Sequence, residues 1–129
     1  LTAPAPRHDP DSGGRPASPE LRLARRHLAE RRLRDEMLGA DLFGEPAWDV
    51  LLTLFVAQEE GRKLCVTKLC DAVPVPSTTA LRWIFALTGR RMLIRKGDPR
   101  NRRRVYLSLS NQTAAKVRSL LSRFASVES

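Results

Sequence analysis

Between Arg90 and Arg104 the chain places eight cationic side chains and opposes them with one acid, Asp98. Guanidinium groups at that density cannot be buried, because each would need a partner that the local sequence does not supply. The segment must stand in solvent, and the core has to be built around it. Immediately after it, Val105, Leu107 and Leu109 alternate with Tyr106 and Ser108, the period of two that marks a strand with one buried face. Residues 92–96 read as the strand that pairs with residues 104–109. Residues 97–103 read as a connecting loop, long for a hairpin and free of large hydrophobes. Residues 76–110 are thus expected to form a short helix followed by a two-stranded ribbon with a cationic tip.

The flanking sequence supplies helices. Residues 1–18 are rich in Pro, Gly and Ser with few bulky apolar residues, so nothing offsets the entropy of ordering them, and a disordered arm is expected. Ser18-Pro19-Glu20 is a helix start: a capping hydroxyl, a proline in the first turn and an acid at the positive end of the dipole. The accessory helix that follows spans 19–39. Leu21, Ala24 and Leu28, and less regularly Leu33 and Met37, form its apolar stripe; Arg26/Glu30, Arg31/Asp35 and Arg32/Glu36 are spaced to pair along it. A second helix begins at Gly44-Glu45-Pro46 and is apolar over most of its circumference, which places it at the centre of a small domain. Thr67 is the expected cap of a brief helix over 68–73. Pro74-Val75-Pro76 makes a turn, and Ser77 is the expected cap of a helix running to Thr88. Ser110 caps the last helix, 111–129, whose apolar spacing of three and four continues nearly to its end, so it is expected to pack on the N-terminal helix, on the same helix of a second chain, or on both.

A short helix, a turn and a second helix form a helix-turn-helix, and the ribbon behind it is a wing. The fold class expected is mainly α with a small antiparallel β-wing, a winged helix-turn-helix over 42–110 flanked by N- and C-terminal helices. At 100° per residue, Leu81, Ile84, Phe85 and Leu87 gather on one side of the second helix as its expected buried face. Thr79, Arg82 and Ala86 lie opposite, flanked by Thr78 and Trp83. Small hydroxyls, an alanine and one arginine suit close approach to base edges: Thr and Ala touch a thymine methyl, and Arg bonds guanine. Exposed arginines on the wing suit phosphates or the narrow minor groove.

The charge distribution points the same way. Net charge is +9, and residues 91–129 hold ten cations against two acids, whereas residues 41–90 hold five against six. An excess concentrated on one ribbon implies a polyanionic partner. No apolar run approaches the roughly 20 residues a membrane helix needs, and no secretory signal is legible, so a cytoplasmic protein is expected. Cys65 and Cys70 are too few for a four-cysteine metal site and read as small core residues, their redox activity undecided. His8 and His27 stand away from any nucleophile or paired acids, so neither an enzyme nor a cofactor is expected.

Trp48-Asp-Val-Leu-Leu, Val66-Thr-Lys-Leu-Cys, Ser77-Thr-Thr-Ala-Leu-Arg82 and Asp98-Pro-Arg-Asn-Arg-Arg-Arg-Val-Tyr-Leu-Ser-Leu-Ser110, in that order, resemble the winged helix-turn-helix of the MarR (multiple antibiotic resistance regulator) family. The resemblance covers roughly residues 42–125 and is most specific in the wing. It implies a dimeric cytoplasmic transcription regulator on a pseudo-palindromic duplex site, with residues 77–88 in the major groove and the wing, 96–104, in the minor groove through Arg103. The DNA-binding residues expected are Ser77, Thr78, Thr79, Arg82, Trp83, Arg95, Lys96, Arg100, Arg102, Arg103 and Arg104. Three positions depart from the family pattern. Asn101 stands where the second wing acid is usual, leaving Asp98 as the acid that could orient Arg103. Arg91 stands where a glycine usually follows the recognition helix. The C-terminal helix is also short. The partner expected is double-stranded DNA, with a homodimer formed through the terminal helices and no effector identifiable. The competing readings are a winged-helix protein-interaction module and a low-specificity nucleic-acid binder without a regulatory ligand.

Overall fold

The computed structural model describes residues 16–38 and 45–128. The expected arm falls almost wholly outside them. Five helices and three strands follow in the order α1 (Pro19–Leu38), α2 (Pro46–Glu59), β1 (Leu64–Cys65), α3 (Val66–Ala72), α4 (Ser77–Gly89), β2 (Leu93–Asp98), β3 (Asn101–Leu109) and α5 (Asn111–Glu128). The sheet is antiparallel with strand order β1-β3-β2, and this is a winged helix. No helix among the described residues is long and apolar enough to cross a membrane.

Helix α2 is the hub, as its apolar circumference requires. Every residue from Asp49 to Ala57 is buried, and α1, α3, α4, α5 and β3 all pack on it. Leu52, Leu54 and Phe55 are almost fully enclosed, each worth about 1.5–3 kcal/mol relative to exposure. The Gln58 side chain accepts a 2.6 Å hydrogen bond from the Leu109 N–H, tying the base of the wing to the end of α2.

Helix α1 packs on its own domain, against α2 and α5, through Leu21, Leu23 and Ala24. Leu33, expected on the buried stripe, is 57% exposed. Its Arg26–Glu30 pair forms at 3.9 Å, while the side chains of Asp35 and Glu36 lie outside the described set. Arg31 reaches across to α2, 2.6 Å from the buried carboxylate of Asp49 and 2.8 Å from Glu45. Burial lowers the Arg31 pKa, but these hydrogen bonds outweigh it and the net shift is upward.

Two of the expected caps hold and two do not. Ser18 Oγ accepts from the Leu21 N–H at 3.1 Å, and Ser110 Oγ accepts from the Thr113 N–H at 3.1 Å. Thr67 instead lies inside α3, whose cap position is Cys65, and Ser77 is the first residue of α4 behind Pro76. Neither cap position makes a side-chain hydrogen bond to the helix. Pro76, with φ fixed near −60°, sets the entry to α4 without needing a hydroxyl.

Candidate nucleic-acid interface

Helix α4 is placed by Ala80, Ile84 and Leu87, which are buried against the core. Ile84 and Leu87 are buried as expected, but the third buried position is Ala80 rather than Phe85, and the outward face shifts accordingly. Thr78, Arg82, Phe85 and Gly89, spaced four, three and four, form the exposed stripe, with Ala86 beside them. Phe85, expected in the core, is 63% exposed. Thr79 is half-buried at the edge, and Trp83, 37% exposed, is on the flank. Ser77 is exposed at the N-terminus of the helix.

The connection from α4 to β2 takes only three residues. Arg91 N–H donates to the Thr88 carbonyl at 2.9 Å and Met92 N–H to the Leu87 carbonyl at 3.0 Å, the paired bonds of a Schellman termination. That motif needs a left-handed residue between them, and Arg91 supplies it with φ of 62°. The departure of Arg91 from glycine therefore leaves the turn intact and puts a cation in it. The same termination ends α2, where Gly61 takes φ of 74°.

β2 packs against α4, so the base of the wing adjoins that helix. Leu93, Leu107 and Leu109 anchor the base in the core, and β1 supports β3 through the pairs Leu64–Leu107 and Cys65–Tyr106. Beyond that point both faces of the ribbon are open: Arg95, Lys96, Arg100, Arg102, Arg103 and Arg104 are all exposed. The expected seven-residue loop contracts to a turn at Pro99-Arg100. Asp98 pairs with Asn101 and Gly97 with Val105, so Arg102, Arg103 and Arg104 form an irregular, bulged stretch of β3. Two side chains hold the tip: Asp98 Oδ1 accepts from the Arg100 N–H at 2.9 Å, and Asn101 Oδ1 from the Arg103 N–H at 3.0 Å. The acid expected to orient Arg103 is thus engaged by Arg100, and Asn101 fixes the Arg103 backbone instead.

Several scaffold arginines are paired with acids, and the wing arginines are not. Arg25 meets Glu60 at 2.7 Å, Arg31 meets Asp49, and Arg118 reaches both Glu59 and Glu20. Among the described residues no wing arginine has a carboxylate at ion-pair distance. Two residues that the sequence reading passed over extend the cationic surface. Tyr106 accepts a hydrogen bond from Arg104, which holds that guanidinium above its usual pKa range. Its ring lies 5.8 Å below Lys63 Nζ. An open groove of about 560 Å³ runs among Lys63, Lys96, Arg100, Arg104 and Tyr106. A second, of about 350 Å³, lies between the wing and α3, lined by Thr67, Lys68, Asn101 and Arg103. Lys63 precedes β1, and only the pairing of β1 with β3 carries it to the wing; its own neighbourhood in sequence held no signal.

The fold belongs to the winged-helix class, and solved structures give it closer relatives. The chain is similar to AF1382 from Archaeoglobus fulgidus, with a TM-score of 0.57 and 17% identity over 74% of this chain and 98% of that one. It is similar to S. aureus MepR in complex with DNA, with a TM-score of 0.57 and 18% identity over 86% of each chain. BpsR of Bordetella bronchiseptica, whose DNA binding is regulated by 6-hydroxynicotinic acid, gives 0.51 at 19% identity, covering 83% of this chain and 73% of that one. MepR and BpsR are MarR-family regulators, so the fold expected from the wing motif is the fold found. No protein-family model and no curated protein matches the sequence.

Proposed function

We propose that the chain is a DNA-binding transcription regulator of MarR type rather than an enzyme. In this reading α4 lies in the major groove and the wing contacts the adjacent minor groove. The observation that carries it is the set of exposed, unpaired arginines on a ribbon that adjoins an exposed helix face. From Leu93 to Asp98 the ribbon extends about 17 Å, enough to cross a major groove about 12 Å wide from a helix seated in it. Arginine–phosphate contacts with counterion release supply most of the affinity, and Thr78, Thr79 and Arg82 the selectivity. The likeness in fold to MepR, solved in complex with DNA, supports the same reading. Two copies would pair through α1 and α5, where Leu33 is 57% and Leu120 40% exposed. Sedimentation should then give twice the 14.5 kDa of one chain.

The test is a salt-dependent titration on a duplex selected from a random library. Arg102→Ala with Arg103→Ala should weaken binding to every duplex and lower the slope against log salt by about 2 for each protomer bound. Arg82→Ala should instead cost about 1–3 kcal/mol at one base position and relax the preference there. If both variants bind like the parent chain, or if a protein partner is recovered while no duplex shifts, the proposal is wrong.

A further inference from the structure

We propose that Phe85, with Ala86 beside it, seats the 5-methyl group of a pyrimidine, so that the chain selects thymine at one position of each half-site. The inference rests on α4 being the groove-entering helix and adds to that reading a residue and the base feature it reads. Phe85 is 63% exposed at the middle of the outward stripe, between Arg82 and Gly89. An aromatic ring held in water gives up the gain that burial would bring, so its position calls for a surface that covers it. Its neighbours decide what kind of surface. Arg82 lies one turn before it, and Arg90 and Arg91 stand exposed just beyond the helix end. An apolar protein face laid over Phe85 would strip water from those guanidiniums without supplying acceptors. The floor of a major groove is different: it offers phosphate and guanine acceptors at its walls and edges and, at thymine, an exposed methyl group.

The dimensions agree. Arg82 and Phe85 are separated by about 4.5 Å along the helix axis, close to the rise of one base-pair step of about 3.4 Å. The two side chains therefore address neighbouring pairs, a guanine through Arg82 and a methylated pyrimidine through Phe85. A side-chain carbon added at Gly89 would meet nothing within 4 Å, so the helix surface next to Phe85 is open and low. That lets the ring approach the groove floor without a bulky neighbour holding the helix off.

The experiment uses the full chain and the duplex recovered by selection. Each thymine is replaced singly by uracil, which keeps every hydrogen-bonding group and removes only the methyl. The parent chain should weaken about fourfold at one thymine per half-site, the worth of one methyl group removed from water. Replacing that thymine's pair so that 5-methylcytosine stands in its position should recover more affinity than cytosine does. Phe85→Ala should bind the thymine and uracil duplexes alike. Because the residue is exposed, its melting curve should match the parent's. Indifference of the parent chain to every uracil overturns the inference while leaving the regulator reading in place. So does a Phe85→Ala variant that keeps the parent's discrimination, or that loses affinity equally for both duplexes. If the parent chain binds no duplex in a salt-dependent way, the regulator reading fails and this one with it. The uracil scan on the parent chain decides the matter even if Phe85→Ala is unstable.

Discussion

Replacing Arg91 by glycine should make the protein more stable while weakening its grip on DNA. Arg91 holds φ of 62° in the turn between α4 and β2. For a residue with a Cβ that conformation costs about 1–2 kcal/mol, because the side chain crowds the following carbonyl. Glycine escapes the cost but gives back roughly 0.4–1 kcal/mol through the greater freedom of the unfolded chain. The side chain is exposed, and no carboxylate lies at ion-pair distance among the described residues, so little else is lost. The net gain is about 0.5–1 kcal/mol, a rise in Tm of roughly 4 °C for a domain near a hundred residues.

The chain carries its own control. Gly61 ends α2 with the same pair of hydrogen bonds, Gly61 N–H to the Gln58 carbonyl at 3.1 Å and Arg62 N–H to the Ala57 carbonyl at 2.8 Å. Gly61→Ala should lower Tm by about as much as Arg91→Gly raises it. Arg91→Ala keeps the crowded Cβ and removes only the charge, so its Tm should stay near the parent's. Thermal melts by circular dichroism read all three. Equal melting temperatures for the glycine and alanine variants at position 91 would refute the argument from backbone strain. In the titration on the selected duplex, both position-91 variants should lose the same affinity, since both lose the same cation.

Other substitutions test the scaffold. Arg31→Ala should cost about 3 kcal/mol in urea denaturation by breaking its ion pair with the buried Asp49 carboxylate. Ser110→Ala should cost about 1 kcal/mol through the lost cap, but Ser77→Ala and Thr67→Ala should cost almost nothing, because neither hydroxyl caps its helix. Burial, then the nearby Asp71 charge, pushes the Cys70 thiol up. The folded state therefore keeps that proton after the unfolded chain has released it. The resulting stability is full below the ordinary thiol range of about 8.5 and is lost as pH rises through the folded value. Cys70→Ala should flatten that alkaline slope in urea midpoints measured at rising pH, and iodoacetamide should label the half-buried Cys65 faster than Cys70.

Much of this architecture was legible because local rules and tertiary packing agree along most of the chain. Ser18 before Pro19, the largely apolar circumference of α2 and the alternation over residues 105–109 each dictated an element that formed. Errors arose at α4 and at the tip of the wing. The helical period groups Phe85 with Ile84 and Leu87, yet Ala80 completes the buried face in its place, since a small residue there lets α4 approach its neighbours closely. Residues 97–103 read as a long loop because they hold no large hydrophobes. Pairing of β2 with β3 continues to Asp98 and Asn101 because the ladder and the two short side-chain bonds at the tip decide the backbone there.

The partition of charge was beyond any local reading, and it alters the electrostatic argument. A net +9 spread evenly would be a weak field over a surface of this size. The described acids are instead concentrated on the helices, where Glu59, Glu60, Glu45, Asp49 and Glu20 take up Arg118, Arg25, Arg31 and Arg62. Apart from Arg62 with Glu60, these pairs join residues distant in sequence, such as Arg118 with Glu20, so no short window of sequence displays them. With those scaffold arginines matched by acids, six exposed cations stand together on a ribbon whose one acid is tied to its own backbone at Arg100. A polyanion such as the proposed duplex would thus meet a sharper cationic edge than the net charge suggests. Adding an acid beside it, as Asn101→Asp would, should lower affinity even though the turn it supports would be retained.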